Sequence, residues 1–335
     1  MATYLVTGGC GFIGSHLVEA LLQAGHAVRI LDNLSTGRLE NKPAAAELLQ
    51  GDVADPRVVA EAMRGAEGCF HLAAVASVER GNLDWLGTHR TNLTGSITVF
   101  DAARRANPRG PVRVVYASSA AVYGDNPTPP LAETATPRPL SAYGADKLGS
   151  EQHGFVAGWV HGVPTCGLRF FNIYGPRQDP KSPYSGVISI FCDRLRAGQG
   201  ITIFGDGRQS RDFVFVGDAV RALLAAMSRA STAGRAYNVC TGRSTTIRDL
   251  ADMIGRILGR RAEITFGPPR AGEIRVSLGD PTAARRDLGF EAQTWLEDGL
   301  VQTLASLEPT VAGPAIQPKR SPAGPSAEPD MPLTR

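Results

Sequence analysis

In the stretch SAYGADKLGSE, residues 141–151, Tyr143 stands four positions before Lys147. Residues four apart on a helix share one face, so a phenol and an ammonium can serve one site. A free phenol has a pKa near 10 and is a poor base at neutral pH. A nearby ammonium favours the phenolate and lowers that pKa, toward the range in which a general base works best. Simple packing on a helix face would require neither residue type. Lys42, Lys147, Lys181 and Lys319 are the only lysines, so arginine supplies the rest of the 35 basic residues. A chain that nearly always chooses arginine has lysine here, and arginine cannot replace a compact ammonium in a tight site. The run VRVVYASS (112–119) delivers Ser118 and Ser119 to a strand end. From there the Ser119 hydroxyl can hydrogen-bond a reacting oxygen.

The elements that must position these groups follow from periodicity. TYLVTG (3–8) is a short apolar, β-branched run. GFIGSHLVEALLQAG (11–25) has helical spacing and a glycine stop. Strands follow at HAVRILDN (26–33), AELLQGDV (46–53) and GCFHLAA (68–74), with a helix over about 56–64 and a long one near 84–106. Strands alternating with helices imply a parallel, doubly wound sheet. The Pro-rich stretch 125–144 reads as a loop, ending where Ser141 can cap the helix that carries Tyr143.

Residues 1–175 form a Rossmann-type α/β domain in this reading, its sheet completed by about 213–245. Residues 176–212 and 246–307 form a smaller α/β substrate-binding lobe. The Pro-, Ala- and Ser-rich residues 308–335 read as a disordered tail. No internal repeat is visible.

Gly8, Gly11 and Gly14 in TGGCGFIG lie between the first strand and the first helix. Glycines there permit a tight turn and close backbone approach, so that a pyrophosphate can sit on the helix N-terminus. Asp32 ends the second strand, where a carboxylate binds the ribose hydroxyls of an adenine dinucleotide and repels a 2′-phosphate. The cofactor expected is therefore NAD and not NADP. The positive nicotinamide ring of that cofactor would add to the lowering of the Tyr143 pKa. Asp52 ends the third strand at a place suited to the adenine ring, and HLAA (71–74) offers small residues for backbone approach.

Composition sets outer bounds. A 43% hydrophobic and 20% charged chain is of ordinary globular type. Its net charge of +3 argues for neither nucleic acid nor membrane binding. No run of eighteen apolar residues predicts a membrane span, and MATYLVTGG shows no secretory leader. The five cysteines, Cys10, Cys69, Cys166, Cys192 and Cys240, have no CxxC spacing, so no metal site is expected. Reduced thiols in a cytoplasmic protein are the expectation.

TGGCGFIGSH, DNLSTG, GDV, HLAA, YASSAAVYG, YGADK, LRFFNIYGPRQDP, SPYSGVISIF, GDGRQSRDFVFV and RAGEIRVSLGD together resemble the extended short-chain dehydrogenase/reductase family, in its nucleotide-sugar epimerase branch. The resemblance runs over about residues 3–305. It implies NAD contacts from Gly8, Gly11, Phe12, Ile13, Gly14, Asp32, Asn33, Ser35, Thr36, Gly37, Asp52, Val53, Leu72, Ala73, Ala74, Ala76, Asn92, Tyr143, Lys147 and Phe171. It implies that Asn172, Arg211, Arg270 and Glu273 hold the UDP part of a UDP-sugar, with arginine forks suited to its diphosphate. It also implies a homodimer through the helices near 84–106 and 142–161.

The activity implied is inversion of C4 of a UDP-hexose through a transient 4-keto sugar, with Ser119, Tyr143 and Lys147 catalytic. Two other readings stay open: another 4-keto nucleotide-sugar conversion (dehydration or decarboxylation), and a non-catalytic NAD-binding sensor. Similar dehydratases carry an Asp-Glu pair where Ala120 and Ala121 stand here, and a sensor needs no Ser-Tyr-Lys set. Ala117 and Ala121 replace hydroxyl residues of the epimerase pattern. Counting along RAGEIRVSLGD places the family's 2-substituent gate at Ser277, whose small side chain predicts room for N-acetylated sugars as well as UDP-glucose and UDP-galactose.

Overall fold

A computed structural model describes residues 1–108, 110–180, 186–269 and 274–307. The first half of the chain largely alternates strand and helix. It runs β1 (Thr3–Thr7), α1 (Phe12–Gln23), β2 (Ala27–Asp32), β3 (Glu47–Gln50), α2 (Pro56–Met63), β4 (Gly68–His71), α3 (Val78–Leu83), α4 (Trp85–His89), α5 (Gly95–Arg105), β5 (Arg113–Ser119), α6 (Ala142–His161) and β6 (Thr165–Phe170). The chain then leaves the sheet through β7 (Asn172–Tyr174), α7 (Val187–Arg196), β8 (Ile201–Phe204), β9 (Ser210–Arg211) and β10 (Phe213–Phe215). It returns with α8 (Val216–Arg229) and β11 (Arg235–Val239). It leaves again as β12 (Thr245–Thr246), α9 (Ile247–Ile257), β13 (Ile264–Gly267), β14 (Val276–Ser277), α10 (Thr282–Leu288) and α11 (Leu296–Ser306).

Among the described residues, seven strands form one parallel sheet in the order β11-β6-β5-β4-β1-β2-β3. Parallel strands buried on both faces need apolar side chains on both, and the two cores answer to that. Leu17, Val18 and Leu21 of α1 pack with Ala219, Leu223 and Ala226 of α8 over Val6, Ile30 and Val115. On the other face Val59 and Met63 of α2, Val99 and Phe100 of α5 and Ala157 of α6 cover Leu5, Leu31 and Val114. A third core, with Ile188, Phe191, Ile201, Leu250, Ile254 and Leu300, belongs to the elements outside the sheet. Those elements join through short pairings: β10 with β7, β9 with β12 and β14, and β13 with β8.

Helix boundaries follow local chemistry. The Ser141 hydroxyl accepts the Gly144 N–H at 3.1 Å to start α6, and Gly162 closes that helix in the left-handed region. Asp55 caps α2, which has Pro56 at its first position. The single long helix expected over 84–106 differs from the structure. Here α4 and α5 are joined by a wide π-type turn over Arg90–Thr94. The Asn92 amide, inside that turn, accepts the Val75 N–H at 2.8 Å and donates to the Val75 carbonyl at 3.2 Å. Ser96 Oγ donates to the Asn92 carbonyl at 2.6 Å. A π-bulge of this sort inserts a residue where a side chain is needed elsewhere. Residues 308–335, expected to form a tail, lie outside the described residues. No described helix is long and apolar enough to cross a membrane.

Candidate functional site

The sheet order reverses direction between β1 and β4, and ligands of open α/β folds bind beyond the carboxyl ends of strands at such a point. A cleft of about 800 Å³ opens there. Its floor is main chain. Gly8 has φ of +71°, and a Cβ on it would stand 2.8 Å from the Ala73 nitrogen. A Cβ on Gly14 would stand 2.1 Å from the Gly8 carbonyl oxygen. Helix α1 starts at this floor with no side-chain cap and no acid in its first turn, so its positive end is left to a ligand. The Thr7 hydroxyl accepts the Ala73 N–H at 3.2 Å and bonds His71 Nδ1 at 2.8 Å, fastening the two strand tips together.

Asp32, 7% exposed, lines the cleft at the end of β2. Its oxygens accept the N–H groups of Cys10 at 3.0 Å and Leu34 at 2.9 Å. Each carboxylate oxygen has a second lone pair, which leaves capacity for a diol. A glycine floor, an uncapped helix start and a fixed carboxylate suit a dinucleotide, and these residues fit NAD.

The catalytic candidates meet at the other end of the same cleft, which Ser119, Tyr143 and Lys147 all line. The Ser119 hydroxyl accepts the Ala121 N–H at 3.1 Å, which leaves its proton free for the hydrogen bond it shares with the Tyr143 phenol. Lys147, 4% exposed, donates to the Ala117 carbonyl at 2.8 Å, and its Nζ lies 5.8 Å from the Tyr143 ring centre. Burial draws the Lys147 pKa down to about 8, against the opposing pull of Asp146. The lowering expected for Tyr143 rests on the charges of Lys147 and the nicotinamide ring, and burial opposes it. Burial pushes this phenol above its ordinary value, with only the Ser119 hydrogen bond acting to lower it. Desolvation penalises the phenolate, and Lys147 directs one of its three N–H donors to the Ala117 carbonyl. His71, buried between Thr7 and Ser96, is held neutral: burial, then the charge of Lys147, lowers its pKa to about 3.

Phe12, Ile13, Gly8, Gly11, Gly14, Asn33, Ser35, Thr36, Gly37, Val53, Leu72, Ala73, Ala74, Ala76 and Phe171 also line the cleft. Asp52 and Asn92 do not stand among its lining residues. Asp52 turns its carboxylate to the Ala54 N–H at 2.8 Å and to Arg90 at 3.5 Å, and Asn92 lies behind the cleft, bonded to Val75. Arg211 and Ser277 stand on the paired strands β9 and β14, and Asn172 on β7, which pairs with β10; none of the three is among the residues that line the cleft. Asn172 Nδ2 donates to the Asp212 carbonyl at 3.0 Å, Ser277 is in register with Arg211, and Arg211 donates to the Ile274 carbonyl at 2.8 Å. Arg270 and Glu273 lie outside the described residues.

Sequence reasoning missed the outer wall of the cleft, made by Arg38, Arg177, Gln178 and Asp179. Arg38 pairs with Asp179, Arg177 pairs with Glu19 at 2.5 Å, and His16 Nε2 bonds the Pro176 carbonyl at 2.9 Å. The last two contacts stitch the loop after β7 onto α1 across about 160 residues of sequence, and the first ties the same loop to the segment after β2, where no local pattern could announce them. Among the described residues, no cluster of His, Cys, Asp and Glu could hold a metal ion.

Residues 4–240 match the model of the NAD dependent epimerase/dehydratase family. The chain is 39% identical over 307 residues to the UDP-glucose 4-epimerase of Mycolicibacterium smegmatis, spanning 90% of this chain and 96% of that one. Among solved structures it resembles the UDP-glucose 4-epimerase of Thermotoga maritima with UDP-glucose, at TM-score 0.86 and 36% identity over 91% of this chain and 98% of the other. It likewise resembles the UDP-N-acetylglucosamine 4-epimerase of Methanobrevibacter ruminantium in complex with UDP-N-acetylmuramic acid, at TM-score 0.86 and 33% identity over 91% and 97%.

Proposed function

The chain belongs to the NAD dependent epimerase/dehydratase family, its cofactor is NAD, and we propose that it inverts C4 of a UDP-hexose. UDP-glucose and UDP-galactose are the substrates of this reading, with their N-acetylated forms. The observation that carries it is the meeting of Ser119, Tyr143 and Lys147 in one cleft with the glycine floor and Asp32. In this reading residues 1–175 with 213–245 hold the cofactor, and 176–212 with 246–307 form the substrate lobe.

Each residue then has a task. Bound NAD supplies reversible hydride acceptance at the sugar carbon. Tyr143 takes the proton of the sugar 4-hydroxyl and later returns it, while the Ser119 hydroxyl donates to the reacting oxygen. Lys147 supplies positive charge beside the phenol and a donor for the nicotinamide ribose. The cofactor ends as it began, so the protein needs no second redox substrate. Arg211 and Asn172 hold the uridine diphosphate, a task the reading also gives to Arg270 and Glu273. Ser277 leaves space for a 2-acetamido group. Asp32 favours NAD over NADP. Asp52 and Asn92 serve the adenine side and the 75–76 turn respectively.

Dehydration is disfavoured because Ala120 and Ala121 can neither donate nor accept a proton. A homodimer goes with this reading. Trp85, Leu86, Phe155 and Trp159 expose large apolar side chains on the outer faces of α4 and α6, an arrangement that a partner surface would cover. A cytoplasmic location goes with five free, buried cysteines.

The test is direct. Purified protein is incubated with UDP-glucose, UDP-galactose, UDP-N-acetylglucosamine and UDP-N-acetylgalactosamine, without added NAD, and products are separated by chromatography. C4 epimers are expected. Loss of water or carbon dioxide from a nucleotide sugar would establish the alternative chemistry, and NAD binding with no turnover would establish a sensor.

A further inference from the structure

We propose that Glu151 is a positioning residue for the reaction, acting through Ser118 to hold the Ser119 hydroxyl against the Tyr143 phenol. The proposal rests on the epimerase reading above, and it concerns a carboxylate that takes no part in the proton transfers.

Glu151 follows Lys147 by four positions on α6, so the two share one helix face. It is 8% exposed, and both of its oxygens are engaged. Oε1 accepts from the Ser118 hydroxyl and from Arg169 Nε at 2.8 Å, and Oε2 accepts from Arg169 Nη2 at 2.6 Å. Ser118 is 2% exposed and is the residue before Ser119. It is also in register with Arg169 across the β5–β6 pair. One carboxylate therefore joins the helix that carries Tyr143 and Lys147 to two adjacent strands of the sheet.

The grip is double. Lys147 holds the carbonyl of Ala117, and Glu151 holds the side chain of Ser118. Helix α6 thus fixes β5 at two consecutive residues just before the catalytic hydroxyl. Arg169 extends the frame outward. Its Nη1 donates to the Tyr123 hydroxyl at 2.9 Å, and Tyr123 donates to Asn238 Oδ1 at 2.7 Å on β11. A buried network with its partners satisfied specifies one arrangement more tightly than apolar packing does. Catalytic geometry is sensitive at this scale, since a displacement of about 1 Å can cost on the order of 10²-fold in rate.

Glu151→Ala would strand a buried guanidinium, and it can fail simply by not folding. Ser118→Ala is the informative variant, because it leaves the Glu151–Arg169 pair intact. The expected result is a kcat lower by about 10-fold or more, with KM for the UDP-sugar, bound NAD and Tm unchanged. The crystal structure of the variant is expected to show a lengthened Ser119–Tyr143 hydrogen bond. Ser118→Thr, which keeps the hydroxyl, should recover most of the lost kcat. Unchanged kcat in Ser118→Ala, or a loss that merely tracks lower Tm and lost NAD, overturns the proposal. A wild-type protein inactive on every UDP-sugar would sink the epimerase reading alone. The Ser119–Tyr143 distance in the variant crystal would still decide the positioning role.

Discussion

The two walls of the proposed site are built on opposite plans. The wall beside α1 is made of main chain from three nearby strand tips, with Gly8, Gly14 and the 72–74 turn in contact. The far wall proposed for the sugar nucleotide lies beyond the residues that line the cleft and consists of side chains on β7, β9 and β14, which bring Asn172, Arg211 and Ser277 from widely separated stretches. A main-chain site tolerates no added Cβ and so admits little variation. A side-chain site can be retuned one residue at a time. In the proposed reading one cofactor site can serve different sugars, because only the side-chain wall needs to change.

The seam between the walls should show the largest effect. Tyr143→Phe removes the phenol oxygen and keeps the ring, so turnover is expected to fall by about 10² or more while NAD stays bound. Steady-state assays with an absorbance measurement of bound cofactor would check both halves. Wild-type-like turnover would end the role assigned to Tyr143.

On the side-chain wall, Ser277→Tyr fills the space assigned to the acetamido group. Overpacking costs roughly 1–3 kcal/mol, so N-acetyl sugars should lose about one to two orders of magnitude in kcat/KM while UDP-glucose is spared. Equal losses on both substrates would show that Ser277 sets no selectivity.

On the main-chain wall the exception is Asp32, the side chain to which the proposed reading gives the preference for NAD over NADP. Asp32→Ala should narrow the preference for NAD over NADP by about 10-fold, the worth of one charge-assisted hydrogen bond pattern. Calorimetric titration of both cofactors measures it, and a wild type that binds the two equally would contradict the assignment.

The smallest effect concerns stability. Burial holds Lys147 near pKa 8 against 10.5 in an unfolded chain, so the folded state is penalised for carrying the charge at pH 7. Lys147→Met should be inactive yet more stable at pH 7 by about 1–3 kcal/mol, less whatever the lost bond to Ala117 contributed. Between these two values the unfolded wild type holds the proton that the folded one has released. Wild-type stability therefore gains on the variant as pH rises through that window. Denaturant melts at pH 7 and pH 10 would show the gap closing. A gap independent of pH would mean that Lys147 is not the titrating group.

What the sequence disclosed was local. Periodicity located β1, α1, β2, α2 and β5 to within a few residues, because each has one buried stripe and a clear stop signal. Ser141 announced its helix through capping chemistry. Strand β4 ends at His71 and not at residue 74, where the chain turns to meet Thr7. The turn at Asn92 was hidden because its cause is a hydrogen bond to Val75, on another segment. Arg38 and Asp179 were overlooked for the same reason, as was the clamp of Glu151 on Ser118. Burial of the Tyr143 phenol was not foreseen, because spacing reveals neighbours but not burial.

The position of β11 has a consequence for how the protein is made. The chain leaves the sheet at Phe170 and supplies the next strand only from Arg235. At about 5–20 residues per second, a ribosome needs roughly 3–13 s to deliver it. During that interval β6, with every residue destined for burial, presents an open edge of unpaired amides and carbonyls. Such an edge invites pairing with other chains, and parallel pairing across a long excursion is intrinsically slow. The nascent protein is therefore at its most aggregation-prone after its cofactor-binding glycines have emerged and before its sheet can close.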